Sequence, residues 1–109
     1  MEVQEYLLEN GENPYRSWLK GLDRLIQARI QARVFRFENG NLGDTKSVGD
    51  GVHEARFFFG TGYRLYFGIE GKKILILLIG GDKKSQLRDI AKAKSYLKDY
   101  LGRSNVKKK

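Results

Sequence analysis

The run Ile74-Leu-Ile-Leu-Leu-Ile79 limits the fold more than any other part of this chain, because six successive apolar residues give a strand no face that water can solvate. A half-exposed strand alternates apolar and polar side chains, whereas one that is apolar on both faces belongs at the centre of a sheet. It is the last of three strands read at about residues 52–59, 63–69 and 73–79. The connections Gly60-Thr61-Gly62 and Glu70-Gly71 are short and turn-forming, which joins the three as antiparallel hairpins.

The earlier half of the chain supplies a strand and helices. Residues 1–8 carry Val3, Tyr6, Leu7 and Leu8 and suit a first strand, ended by Asn10-Gly11. Asn13-Pro14 reads as a helix start, with Asn13 capping free amides and Pro14 at the first helical position, where its missing N–H costs nothing. Trp18, Leu19, Leu22, Leu25, Ile26, Ile30, Val34 and Phe37 then recur at spacings of three and four, with Arg24, Arg29, Arg33 and Arg36 mostly off that stripe. Gly21 and Asp23 divide the region into two helices, the second capped by Asp23 and ending near Glu38. Residues 39–51 are polar and glycine-rich and read as a surface loop bordering the functional face. Leu87, Ile90, Ala91, Lys94 and Leu97 fit a last helix from about Ser85 to Leu101, and 102–109 reads as a frayed basic tail.

A chain of 109 residues has apolar surface enough for one core, so residues 1–109 are expected to form a single domain. The expected class is a two-layer α+β fold, with early helices packed on a mostly antiparallel sheet and a C-terminal helix.

Lys and Arg number 21 against 13 Asp and Glu, giving a net charge of +8, which favours a polyanionic partner and nucleic acid above all. The plainer reading is a solvated surface with a basic end, since Lys107, Lys108 and Lys109 contribute to the excess. There is no cysteine and one histidine, so disulfides, thiolate sites and ordinary zinc sites are excluded. The opening segment lacks a basic stretch followed by an apolar core, and no apolar run approaches the roughly 20 residues that span a bilayer. A soluble, unexported, cytoplasmic protein with no membrane partner is expected.

Side chains two apart on a strand share a face. Glu54, Arg56 and Phe58 therefore lie together, opposite a core-facing set of His53, Ala55, Phe57 and Phe59; on the next strand Arg64, Tyr66 and Gly68 oppose Tyr63, Leu65, Phe67 and Ile69. Arg56, Arg64 and Tyr66 converge on the face that the early helices leave uncovered. Two forked guanidiniums suit a phosphate and a ring suits a base, as a grip on single-stranded RNA requires. The turn Gly80-Gly-Asp-Lys-Lys-Ser-Gln86 adds Lys83, Lys84, Ser85 and Gln86 at a helix N-terminus, where free amides and the dipole favour an anion. The competing reading is structural: the lysines are solvated, Ser85 or Asp82 caps the helix, and Arg56 pairs with Glu54 or Asp89. His53 lies on the opposite parity from Arg56, and with Trp18 and Leu22 it reads as a packing residue.

Asn41-Leu-Gly-Asp-Thr-Lys46, Gly51-Val-His-Glu-Ala-Arg56, Gly62-Tyr-Arg-Leu-Tyr66 and Gly80-Gly-Asp-Lys-Lys-Ser-Gln86, followed by Arg88-Asp-Ile90 and Ala93-Lys94, together resemble the RelE/ParE toxin superfamily. The likeness is to the addiction module killer protein branch near HigB and covers about residues 13–100. One departure is Ala55, where the pattern has Leu. The resemblance implies a toxin of a type II toxin-antitoxin system: a ribosome-dependent endoribonuclease, or mRNA interferase, that uses no metal or organic cofactor. In that reaction the substrate's 2′-hydroxyl attacks the adjacent phosphate.

By the same resemblance the catalytic residues are Arg64, for phosphate stabilisation, and Lys83 and Lys84, for substrate binding or proton transfer. Arg56, Tyr66, Gln86 and Arg88 then bind substrate. The implied partners are the ribosome, mRNA and a cognate antitoxin protein, whose acidic residues would complement the basic face. Some members carry a late Tyr or His for proton transfer, and Ser85-Gln-Leu-Arg-Asp-Ile90 has neither. Asp89 is the local alternative, while Tyr96 and Tyr100 read as packing. Two other readings remain. ParE-like members of the same fold inhibit DNA gyrase without chemistry of their own, and a degenerate prophage module would only bind RNA or protein.

Overall fold

The computed structural model describes residues 1–107; Lys108 and Lys109, the end of the expected basic tail, lie outside the described residues. The chain runs β1 (Glu2–Glu5), α1 (Pro14–Lys20), α2 (Arg24–Glu38), β2 (Thr45–Gly49), β3 (Val52–Arg56), β4 (Arg64–Glu70), β5 (Ile74–Gly81) and α3 (Gln86–Lys107). The strands form one sheet in the order β1-β5-β4-β3-β2, antiparallel except where β1 runs parallel to β5. The class is α+β, and β5 is an interior strand as its apolar sequence requires.

Local chemistry fixes the early elements. The Asn13 backbone is extended, its Oδ1 accepts the Arg16 amide at 2.9 Å, and Pro14 follows at the first helical position. Glu5 at the end of β1 binds Asn13 Nδ2 at 2.7 Å and pairs with Arg16, so strand and helix start are tied together. Gly21 ends α1 and Asp23 precedes α2, although the Asp23 side chain makes no cap hydrogen bond.

The sheet is covered on both faces, so the layers number three rather than the expected two. On one face Tyr15 and Leu19 of α1 and Ile30 and Phe37 of α2 pack against Ala55, Leu65, Phe67, Leu75 and Leu77. On the other, Ala93 and Leu97 of α3 pack against Val52, Tyr66, Ile76, Leu78 and Ile79. The physical reason lies in β5, which carries large apolar residues on both sides and would otherwise leave one side wet. A register slip between Tyr66 and Phe67 makes Leu78 the extra residue of a bulge, which turns both Leu78 and Ile79 toward α3.

Several boundaries also differ from expectation: β1 ends at Glu5 rather than residue 8, and β3 at Arg56 rather than residue 59. Within residues 39–51, Thr45–Gly49 is an edge strand rather than loop, closed onto β3 by Asp50 (φ 53°) and Gly51 (φ 82°), the left-handed pair that a tight hairpin needs. Helix α3 continues past Leu101 to Lys107. Its later turns are anchored where Arg103 donates to the Leu7 carbonyl and pairs with Asp99, which in turn accepts the Tyr6 hydroxyl at 2.6 Å.

The end of β5 is closely packed on both sides. A Cβ on Gly80 would overlap the Trp18 ring, and one on Gly81 would overlap the Asp89 carboxylate. Glycines at both positions let α1 and the first turn of α3 close on opposite sides of the same strand end. Among the described residues no helix is long and apolar enough to cross a membrane.

Candidate functional site

Polar side chains of β2, β3 and β4 occupy two adjacent rungs on the α3 face. In one rung Lys46 lies opposite Glu54 and Glu54 opposite Tyr66; in the next Arg56 faces Arg64, which faces Gly81. Two guanidiniums across a ladder repel one another. Glu54 offsets this, because it is fully buried and lies 3.2 Å from Arg56 Nε, 3.6 Å from Arg64 Nε and 4.0 Å from Lys46 Nζ. The Tyr66 hydroxyl and Gln86 Nε2 also donate to it, at 3.1 and 2.9 Å.

These partners set its charge. Burial pushes the Glu54 carboxyl up, but hydrogen bonds from Gln86, Arg56 and Tyr66 and the charge of Lys46 outweigh that and hold it below the usual carboxylate value. Tyr66 moves the other way: burial, followed by the Glu54 charge and hydrogen bond, pushes its phenol well above its ordinary 10. At neutral pH the pair is therefore an anion and a neutral donor.

The cations differ in how far they are committed. Arg64 is 12 % exposed, its Nη1 donates to the Gly62 carbonyl at 2.8 Å, and its Nε has no hydrogen-bond partner. Arg56 is 37 % exposed and Lys46 half exposed. Lys83 stands over the same corner, since a Cβ placed on Gly62 would lie 3.7 Å from Lys83 Cβ and 3.5 Å from Arg64 Nη1. Lys83 and Lys84 are exposed on the turn before α3. Beside Arg56 and Arg64 opens a cleft of about 500 Å³, walled by Phe57, Phe58, Phe59 and Tyr63 and floored by Gly60 and Gly62.

Arg56, Arg64, Lys83 and Gln86 are thus gathered at one corner, as the sequence reading expects, but three of the four expected binding residues are not free to bind there. Tyr66 is fully buried beneath α3 and offers no ring to a ligand, because the face judged open is the one that α3 covers. Arg88 is exposed on α3 and makes no hydrogen bond or ion pair with the cluster. Gln86 points inward and spends its amide on Glu54.

The helix N-terminus is also occupied. Asp82 accepts the Ser85 amide at 3.1 Å while Ser85 Oγ accepts the Asp82 amide at 3.2 Å, a reciprocal cap that already places a carboxylate at the dipole. An anion at this corner would have to be held by side chains. Asp89 is buried and accepts the Ser85 hydroxyl rather than pairing with Arg56 or Arg88. His53 stacks on Phe67 at 5.4 Å on the far side of the sheet, and Tyr96 stacks on Tyr6 at 5.0 Å, both as packing residues. Among the described residues no His, Asp or Glu side chains are grouped so as to hold a metal ion.

Sequence reasoning passed over Lys46, Phe58 and the central part played by Glu54. The parity of Glu54 with Arg56 was the available signal for the last. Lys46 required β2 to be recognised as a strand, and its polar sequence hides it.

What the corner can do chemically follows from its charge. Lys46, Arg56, Arg64, Lys83 and Lys84 outnumber Glu54, Asp82 and Asp89, and the two arginines border open space. An anion at the cleft mouth meets guanidiniums already held in place by a buried counter-charge. Neither a family model nor a solved structure matches the chain. A Haemophilus influenzae protein named only as an uncharacterized protein is 48% identical over 79 residues, spanning 72% of this chain and 80% of that one. At that likeness and coverage, the chain belongs to the family of this Haemophilus influenzae protein.

Proposed function

We propose that this protein is a RelE/ParE-like toxin of the HigB-like branch, acting as a metal-independent endoribonuclease on translated mRNA. One observation carries the reading: Arg56 and Arg64 are fixed side by side by buried Glu54 at the edge of an open cleft, with Lys83 over the same corner. The mostly antiparallel sheet with early helices and a last helix supports the same assignment.

In the proposed reaction the 2′-oxygen bonds to the adjacent phosphorus and the bond from phosphorus to the 5′-oxygen breaks. The 2′-hydroxyl loses its proton and the departing 5′-oxygen gains one, leaving a cyclic phosphate and a 5′-hydroxyl. The crowded phosphorane carries extra negative charge, which Arg56 and Arg64 neutralise better than they neutralise the ground state. Lys83 or Lys84 supplies substrate contact or the proton for the leaving oxygen. Glu54 and Gln86 position the arginines and do not touch substrate.

A binding-only reading has a specific observation in its favour. Glu54, Asp89 and Tyr66, the carboxylates and the phenol packed around the arginines on the α3 face, are buried and bonded within the fold. A gyrase-directed inhibitor or a module that only binds RNA would need none of them free. Induction without an antitoxin, with primer-extension mapping of transcript ends, separates the readings. Cuts within codons that fall about a hundredfold in Arg64→Ala support the nuclease; toxicity with intact transcripts, retained in Arg64→Ala and Lys83→Ala, rules it out.

A further inference from the structure

We infer that Phe58 is the base-stacking element of the cleft: a nucleobase of single-stranded RNA lies on its ring, next to the phosphate held by Arg56 and Arg64. The inference rests on the phosphate-binding reading above and adds the part of the substrate that is not phosphate.

Phe58 is 79 % exposed, while its neighbour Phe57 is 5 % exposed and Phe59 is partly buried. An exposed phenylalanine alone is ordinary. This one shares a cleft of about 500 Å³ with two guanidiniums, so a chain whose phosphate reaches Arg56 brings a base into reach of the ring. Tyr66, the ring expected to serve this purpose, is buried, and Phe58 is the most exposed of the aromatic rings lining the cleft.

The segment that presents Phe58 is firmly built. Phe57 N–H donates to the Tyr63 carbonyl at 3.0 Å and Gly62 N–H to the Phe59 carbonyl at 3.3 Å. The Phe59 ring meets Phe57 edge-on and tilts against Tyr63, each at 5.8 Å between centroids. From α2, Arg29 lies 5.0 Å over Phe59 and Arg33 4.8 Å over Phe57. Arg33 also donates to the Arg56, Leu42 and Asp44 carbonyls, which pins the end of β3. The inward positions are filled, and Phe58 has no core site to fold into. An exposed aromatic face on a braced segment, beside cations held by a buried carboxylate, is the arrangement that grips single strands with little base preference, because every base has a π-face to offer.

The test uses the full chain, a 5′-labelled octaadenylate and an abasic ribose-phosphate oligomer of equal charge, with affinities read by fluorescence anisotropy over a salt series. Wild-type protein is expected to prefer octaadenylate. Phe58→Ala should weaken octaadenylate binding about tenfold and leave the abasic oligomer and the salt slope unchanged, and Phe58→Trp should retain binding. Arg64→Ala should weaken both oligomers. If Phe58→Ala changes neither affinity, or both equally, while Arg64→Ala weakens both, stacking is overturned and the phosphate reading stands. If wild-type protein binds neither oligomer, the cleft is no site for a free single strand and the stacking inference falls, while the transcript mapping above still decides the nuclease reading. Unchanged circular dichroism of Phe58→Ala, expected for so exposed a side chain, excludes misfolding.

Discussion

At the scale of single residues, Glu54 decides whether the basic corner exists. Strand alternation put it on the same side as Arg56, but alternation reports direction and not depth, so its complete burial under α3 was not legible. The same gap explains Tyr66, whose face was read correctly and whose cover was not. Removing one partner of a buried ion pair strands the others, at a cost of about 3–5 kcal/mol when all are desolvated. Here Arg56 and Lys46 are partly solvated and only Arg64 is deeply held, which places Glu54→Gln near the lower end, at about 3 kcal/mol. Urea unfolding should show a lower midpoint with an unchanged slope. An unchanged midpoint would mean that the cluster contributes nothing to the fold.

At the scale of elements, the parts that announce themselves are those whose chemistry is local. Asn13 and Pro14 mark the start of α1, and the apolar run of β5 marks an interior strand, because each signal sits within a few residues. Strand β2 was hidden because three of its five residues are exposed and a bulge breaks its register. An edge strand of that kind has no apolar alternation to display. The length of α3 was hidden for a related reason: its later turns are tied to the start of the chain, where Arg103 donates to the Leu7 carbonyl and Asp99 accepts the Tyr6 hydroxyl, contacts no window of sequence contains. The meeting of β5 with α3 gives a direct test. Gly81→Ala forces a methyl against Asp89 and Ser85, and overpacking of this sort costs about 1–3 kcal/mol. Thermal unfolding should fall by several degrees, at roughly 4–8 °C per kcal/mol for a domain near this size. A melting temperature equal to wild type would show that the junction is looser than its geometry states.

At the scale of the whole molecule, titration should reveal how many carboxylates the fold holds in ionised form. Glu5 and Glu54 are pushed up by burial but drawn lower on balance by their hydrogen-bonding partners, and Asp99 is lowered by the Tyr6 hydroxyl and Arg103. A depressed carboxyl contributes stability that is present above its unfolded value and is lost as pH falls through its folded one. Acidification below about 4.5 should therefore lower the urea midpoint, and Glu54→Gln should make that decline shallower. Tyr15 is pushed up to about 12 by burial, so its contribution is intact below 10 and is lost between 10 and 12. A midpoint flat from pH 3 to 7 would contradict the placement of these groups. The parallel pairing of β1 with β5 has a further consequence. Glu2 lies beside Ile74, so during synthesis β1 has no neighbour until β5, about seventy residues later, has emerged. The basic corner waits longer still, because Gln86 must arrive before Glu54 is enclosed, and a partly translated copy carries the arginines without the scaffold that aims them.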